Sequence, residues 1–159
     1  MEEIIQLNSG AKLSPHFTLG EMTKSNSHPE VYNIPSHEAI ANLKRLCGWL
    51  EVLRERYNQK YGVGEEPIRI NSGYRSPQLN RAIHGNANSN HMTGCACDIR
   101  VSGMEQALRY AVILMDIADQ AQEDFDELII EVRGSTVWIH FAVRPKGNRR
   151  RLLLDIRKK

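Results

Sequence analysis

The sequence predicts an α+β domain in which a mainly antiparallel sheet carries its helices on one side. Strand-like runs concentrate in the second half of the chain, whereas helical periodicity dominates early and recurs between strands. The clearest run is "FDELIIEVRGSTVWIHFAV", residues 125–143, where two β-rich segments flank a Gly-Ser turn. With 159 residues, 41% hydrophobic and 25% charged, the composition is that of one globular domain spanning 1–159, and no repeat, low-complexity segment or linker divides it.

Each element has its own signal. Thr18, with Glu21 three positions later, predicts a capping box opening a short helix, and Ser25 to Pro29 reads as a loop. From Ser36, apolar residues recur at Leu43, Leu46, Leu50, Leu53 and Tyr57, the spacing of one face of a long helix. Ile68 and Ile70 alternate with polar neighbours, as a strand does, until Gly73 breaks the pattern. Ser76 and Pro77 have the residue types of an N-cap and first helical position, so a short helix follows. The polar run "HGNANSN" is a loop, "CACDIRV" a strand, and Ser102 with Glu105 predicts a second capping box for a helix reaching about Gln120.

Charge and targeting signals narrow the function classes. The formal net charge is only +2, but eight of the twenty-one Lys and Arg residues fall in the last sixteen positions, "RPKGNRRRLLLDIRKK". Such a run suits an anionic partner or, more plainly, a solvated edge strand and tail that resist aggregation. A nucleic-acid-binding domain built on "RPKGNRRR" is the remote alternative; no nucleic-acid motif accompanies it, so no nucleic-acid partner is expected. Three cysteines, Cys47, Cys95 and Cys97, make no even-numbered disulfide framework. The acidic start "MEEIIQLNSGAK" lacks the features of a signal peptide, and no run has the eighteen or so apolar residues of a membrane span. The expectation is cytoplasmic synthesis, no membrane insertion and a monomer.

The stretch "NSNHMTGCACDIR", residues 88–100, crowds one histidine, two cysteines and one aspartate together. Catalytic zinc takes three protein ligands from His, Asp, Glu or Cys and leaves its fourth position to water. The candidates are His91, Asp98, Glu131 and His140, and two histidines with one carboxylate would meet that count. If the hairpin turn is Gly134 and Ser135, Arg133 pairs with Thr136, Glu131 with Trp138 and Ile129 with His140. Glu131 and His140 then share a face as diagonal neighbours, within reach of one water. The plainer readings are a hydrogen-bonded structural His140 and a Glu131 paired with Arg133 or Arg144. Cys95 and Cys97 share the face opposite Asp98, and a chelating thiolate pair would suit a structural zinc better than a catalytic one.

The run "SGYRSPQLNRAI…NSNHMTGCACDI", followed by "FDELIIEV…VWIHFAV", resembles the zinc D-Ala-D-Ala carboxypeptidase family of bacterial and phage metallopeptidases, and most of all its compact phage or prophage-type members. The likeness extends to "LSPHFTLGEMTKS" and the helix ending "LEVLRERY". It implies a hedgehog-like zinc-site fold, Zn2+ held by His91, Asp98 and His140, and hydrolysis of a peptide bond in peptidoglycan stem peptides or cross-links, by a carboxypeptidase or endolysin-type endopeptidase. It also implies that Arg75 holds a substrate carboxylate, with Ser89 and an indole donor from Trp138 as further substrate contacts, and that Cys95 and Cys97 serve packing.

Many family members place the catalytic Glu three residues before the last ligand, where this chain has Val137. The related hedgehog signalling domain has a Phe-Asp-x-x-x-x-Glu run instead, and "FDELIIE" matches it, which points to Glu131 as the base with Glu127 in reserve. The competing class is a zinc-bearing binding module of the same fold without turnover. The resemblance further implies action on the cell wall after release of the protein.

Overall fold

The computed structural model describes residues 9–158. Most of the acidic N-terminal stretch that argues against a signal peptide lies outside them. A small ribbon of β1 (Lys12–Ser14) and β2 (Phe17–Thr18) leads into α1 (Leu19–Thr23), and then α2 (His37–Tyr61) runs for 25 residues. There follow β3 (Ile70–Ser72), α3 (Pro77–Ala82), a 3-10 turn (Asn90–Thr93), β4 (Ala96–Arg100) and α4 (Met104–Ala121). The chain closes with β5 (Glu127–Arg133), β6 (Thr136–Ala142) and β7 (Arg151–Arg157). The main sheet has the order β3-β4-β6-β5-β7, antiparallel throughout except for the parallel pair β5–β7, so the α+β expectation holds.

Local signals explain most boundaries. Thr18 and Glu21 form the reciprocal capping box, and Ser36 and Ser76 cap α2 and α3 by accepting from Ala39 and Leu79 backbone N–H groups. The second box does not form. α4 starts at Met104 behind Gly103 with no side-chain cap, and Gln106 reaches back instead, its Oε1 accepting from the Ser102 N–H at 2.8 Å. The strand signal at Ile68 also overshoots: Ile68 is buried, but pairing starts at Ile70.

Alternation divides the sheet into two faces. Cys97, Ile99, Leu128, Ile130, Ile139 and Phe141 point to one side and join the hydrophobic core with α2 and α4. Phe141 meets Trp49 of α2 and Phe125 at ring separations of 5.7 and 5.9 Å. Burial of these aliphatic and aromatic groups is the main stabilising term, roughly 1.5–3 kcal/mol for each large side chain. The intervening residues Asp98, His140, Glu127 and Glu131 fall on the opposite face. No helix among the described residues is long and apolar enough to cross a membrane.

The basic C-terminal run forms β7 at the sheet edge, and its arginines have partners within the chain. Arg144 and Arg149 bind the buried Asp126, Arg150 binds Asp119 and Asp124, and Arg151 binds Glu127.

Candidate metal centre

Three elements deliver the donor atoms. The two-residue turn holds: Arg133 pairs with Thr136, and Gly134 takes a φ of 61°, the positive value that tight hairpins favour. The register therefore sets His140 opposite Asp98 on one side and Ile129 on the other. His91 arrives from the 3-10 turn. Ser89 caps that turn, its Oγ accepting from the His91 N–H at 3.1 Å, and Gly94 ends it at φ 76°. A Cβ on Gly94 would lie 2.4 Å from the Ala39 carbonyl of α2, so glycine lets the turn seat against that helix. Asn42 of α2 secures the seat by donating to the Thr93 carbonyl at 2.9 Å.

His91 Nε2 and His140 Nδ1 each lie 3.4 Å from Asp98 Oδ1. Among the described residues, His91, Asp98 and His140 are the group whose ligand atoms all fall within 4.8 Å of one another. The outer nitrogens of both rings are already engaged. His91 Nδ1 contacts the Gly73 carbonyl at 2.7 Å, and His140 Nε2 contacts Glu127 Oε1 at 3.1 Å. A carbonyl and a carboxylate only accept, so both outer nitrogens carry the proton, and the inner nitrogen of a neutral ring presents a lone pair.

The donor set passes a test of fit for zinc. His91 Nε2 is buried and has no hydrogen-bond partner, which a bound cation would supply. Two ligands at the usual zinc distances in a tetrahedral shell lie about 3.3 Å apart, against the 3.4 Å seen here. The neutral-histidine and carboxylate chemistry also matches.

Glu127 has a role the sequence does not display. It lies behind His140, on the far side of the ring from Asp98, the position of an outer partner if His140 holds a metal through Nδ1. Asn90 donates to Glu127 Oε1 and to Asp126 Oδ2, both at 2.8 Å, and accepts from Arg144 Nε, while Arg151 binds the other Glu127 oxygen at 3.1 Å. The hydrogen bond from His140 holds the Glu127 carboxyl down at about 2, against the opposing effect of burial. Glu127→Gln is expected to weaken zinc binding roughly 10–100-fold, the usual effect of removing such a partner. Competition with a chromophoric chelator reads this directly, and unchanged affinity would remove Glu127 from the site.

Burial alone would raise the Asp98 carboxyl, but His91 and His140 outweigh it and hold it well below the usual range. Burial likewise works to make His140 less basic, yet Asp98 and Glu127 raise it to about 9 in the metal-free chain. His140 must shed that proton to ligate through Nδ1. Apparent zinc affinity is therefore expected to rise about tenfold per pH unit up to pH ~9 and to level off above it. Chelator competition between pH ~6.5 and ~9.5 checks the slope; a flat profile would contradict it.

The other expected site residues fall around this cluster. Glu131 lies cross-strand from Trp138 and diagonal to His140 on the same face, and Arg133 binds it at 3.1 Å, the plainer pairing. The Arg133 guanidinium also sits 5.5 Å from the Trp138 ring centroid. Arg75 donates its backbone N–H to the His91 carbonyl, and its side-chain Nε is buried without a partner. Burial makes that guanidinium less basic than usual, while Asp98 and Glu131 act in the opposite sense. Ser89 is placed as a cap that positions His91. Cys97 lies in the core and Cys95 is buried; burial raises both thiols, which lie outside the ligand group.

Comparison with known proteins agrees with this geometry. The family model described as Peptidase M15 matches residues 15–140, a span that contains all three candidate ligands and Glu131. The zinc D-Ala-D-Ala carboxypeptidase of Streptomyces albus G is 30% identical over 97 residues, 61% of this chain and 36% of that protein. The chain thus spans little more than a third of that relative's length.

Proposed function

The chain belongs to the M15 peptidase family, and from that premise we propose that it is a zinc metallopeptidase hydrolysing a peptide bond in peptidoglycan stem peptides or cross-links. The observation that carries the reading is the convergence of His91 Nε2, Asp98 Oδ1 and His140 Nδ1, with both outer ring nitrogens already engaged. Zinc, when bound there, supplies a Lewis acid for the scissile carbonyl and a water acidified to a pKa of about 7.

The remaining work falls to the protein's own groups. Glu131, on the ligand face and anchored by Arg133, takes a proton from the attacking water and passes it to the leaving amine nitrogen. Arg75 offers a planar guanidinium with an uncommitted Nε, suited to a peptide carboxylate. Trp138 presents an indole N–H and a ring face beside Glu131. In this reading the protein is of the phage or prophage type, made in the cytoplasm and acting on the wall after release, a step supported by the sequence resemblance alone.

Digestion of purified peptidoglycan by the zinc-loaded chain, with and without a chelator, tests the proposal. Mass spectrometry of the muropeptides is expected to show chelator-sensitive loss of terminal D-Ala or opening of cross-links. Unaltered muropeptides from a protein with stoichiometric zinc would support the binding-module class instead.

A further inference from the structure

The apolar groups left in water are not scattered. Leu108 and Val112 of α4 are 51% and 49% exposed, and Leu152, Leu154 and Ile156 of β7 are 49%, 59% and 65% exposed. Both sets belong to the helix-covered side of the sheet. The α2 side of α4 is marked by Gln106, Arg109 and Tyr110, which contact Tyr57 and Tyr61, so Leu108 and Val112 lie on the flank away from α2. Asp119 continues that flank, and its ion pair with Arg150 ties it to the start of β7. The three β7 residues share the α4 side of the sheet with their β5 partners Leu128, Ile130 and Val132. β7 is also the last strand in the sheet order, so its outer backbone groups have no strand partner among the described residues. An edge with three consecutive leucines is the kind that proteins ordinarily blunt or cover.

We infer that a second copy of this chain covers the edge, through antiparallel pairing of β7 with β7 about a two-fold axis at Leu153. Charge complementarity points to this occupant, and among registers centred on Leu153, Leu154 and Asp155 it favours the first. With Leu153 opposite Leu153, Arg151 faces Asp155 of the other copy twice and Leu152 faces Leu154 twice. Shifting the centre to Leu154 sets Arg151 against Arg157, and shifting it to Asp155 sets two aspartates together; both put like charges directly opposite. Arg151 already binds Glu127 through Nη1 alone, and a guanidinium has donors to spare for a second carboxylate. The axis stands perpendicular to the sheet, so both copies keep their helices on one side and their metal centres on the other. Five strand spacings separate the two His140 strands, about 24 Å. If the substrate is a wall polymer, as proposed above, one dimer presents two centres to the same face of it. This departs from the monomer that the sequence suggests.

Sedimentation equilibrium of the zinc-loaded chain is expected to give twice the 18.1 kDa chain mass. Leu154→Lys should raise the dissociation constant at least about tenfold while zinc content and far-UV circular dichroism stay unchanged. A cysteine scan fixes the register independently, because the three native cysteines are buried. Under mild oxidation Leu153→Cys should cross-link to a covalent dimer, whereas Ile156→Cys, opposite Arg150 of the other copy, should not. A monomeric mass, a dimer indifferent to Leu154→Lys, or cross-linking at 156 rather than 153 would overturn the inference.

Discussion

Glu131→Gln is expected to lower the rate of peptide hydrolysis by about 10²–10⁴-fold while the protein keeps one zinc per chain. The carboxamide preserves the shape of the side chain and an oxygen that can still accept from Arg133, so the hairpin should remain intact. What is lost is the ability to take a proton from water and return it to an amine. None of the three ligand atoms is touched, so metal content separates this effect from a damaged site. Rates on purified peptidoglycan, read beside metal analysis, decide the matter, and a variant as active as the parent would end the assignment of Glu131. The contrast with Glu127→Gln is informative: there the loss should appear in zinc affinity and recover when excess metal is supplied.

His140→Ala should abolish stoichiometric zinc and, with it, measurable hydrolysis. The substitution removes one of three converging donors and leaves Asp98 facing His91 alone. The loss of affinity should exceed the roughly 10–100-fold expected for removing an outer partner. His140 points away from the helix-covered core, so the fold should survive and the defect should be one of metal binding. Metal analysis after dialysis provides the readout, and full retention of zinc would take His140 out of the ligand set.

The parts of this site legible in the sequence are those fixed by local spacing or by family likeness. The Gly134-Ser135 turn and strict alternation in β5 and β6 were enough to put Glu131 and His140 on one face. The likeness of "NSNHMTGCACDI" to the peptidase family, rather than spacing, singles out His91 and Asp98 as the other two ligands. The supporting residues were harder to read because their partners are remote in sequence: Asn90 meets Asp126 and Glu127 across 36 and 37 positions. Glu127 itself has the same parity as Glu131, and only the direction of the His140 ring distinguishes an outer partner from a base. The Ser102 box failed because Gly103 takes the N-cap position and Gln106 supplies the return bond. β7 was anticipated as an edge strand, but its parallel alignment with β5 depends on a connection that the sequence pattern does not encode.

The division of the sheet into a packed face and a ligand face also determines how this protein can change over evolutionary time. Substitutions at alternate positions of β5 and β6 draw on separate accounts, one governing persistence of the fold and the other governing chemistry. A one-residue insertion or deletion inside β6, between Val137 and Phe141, would interchange the two sets, turning His140 toward α2 and Phe141 toward solvent. Length variation in a lineage carrying this site should therefore collect in the turns, and swaps of specificity should be sought at ligand-face positions such as Ile129, beside His140, where a new side chain leaves the core undisturbed.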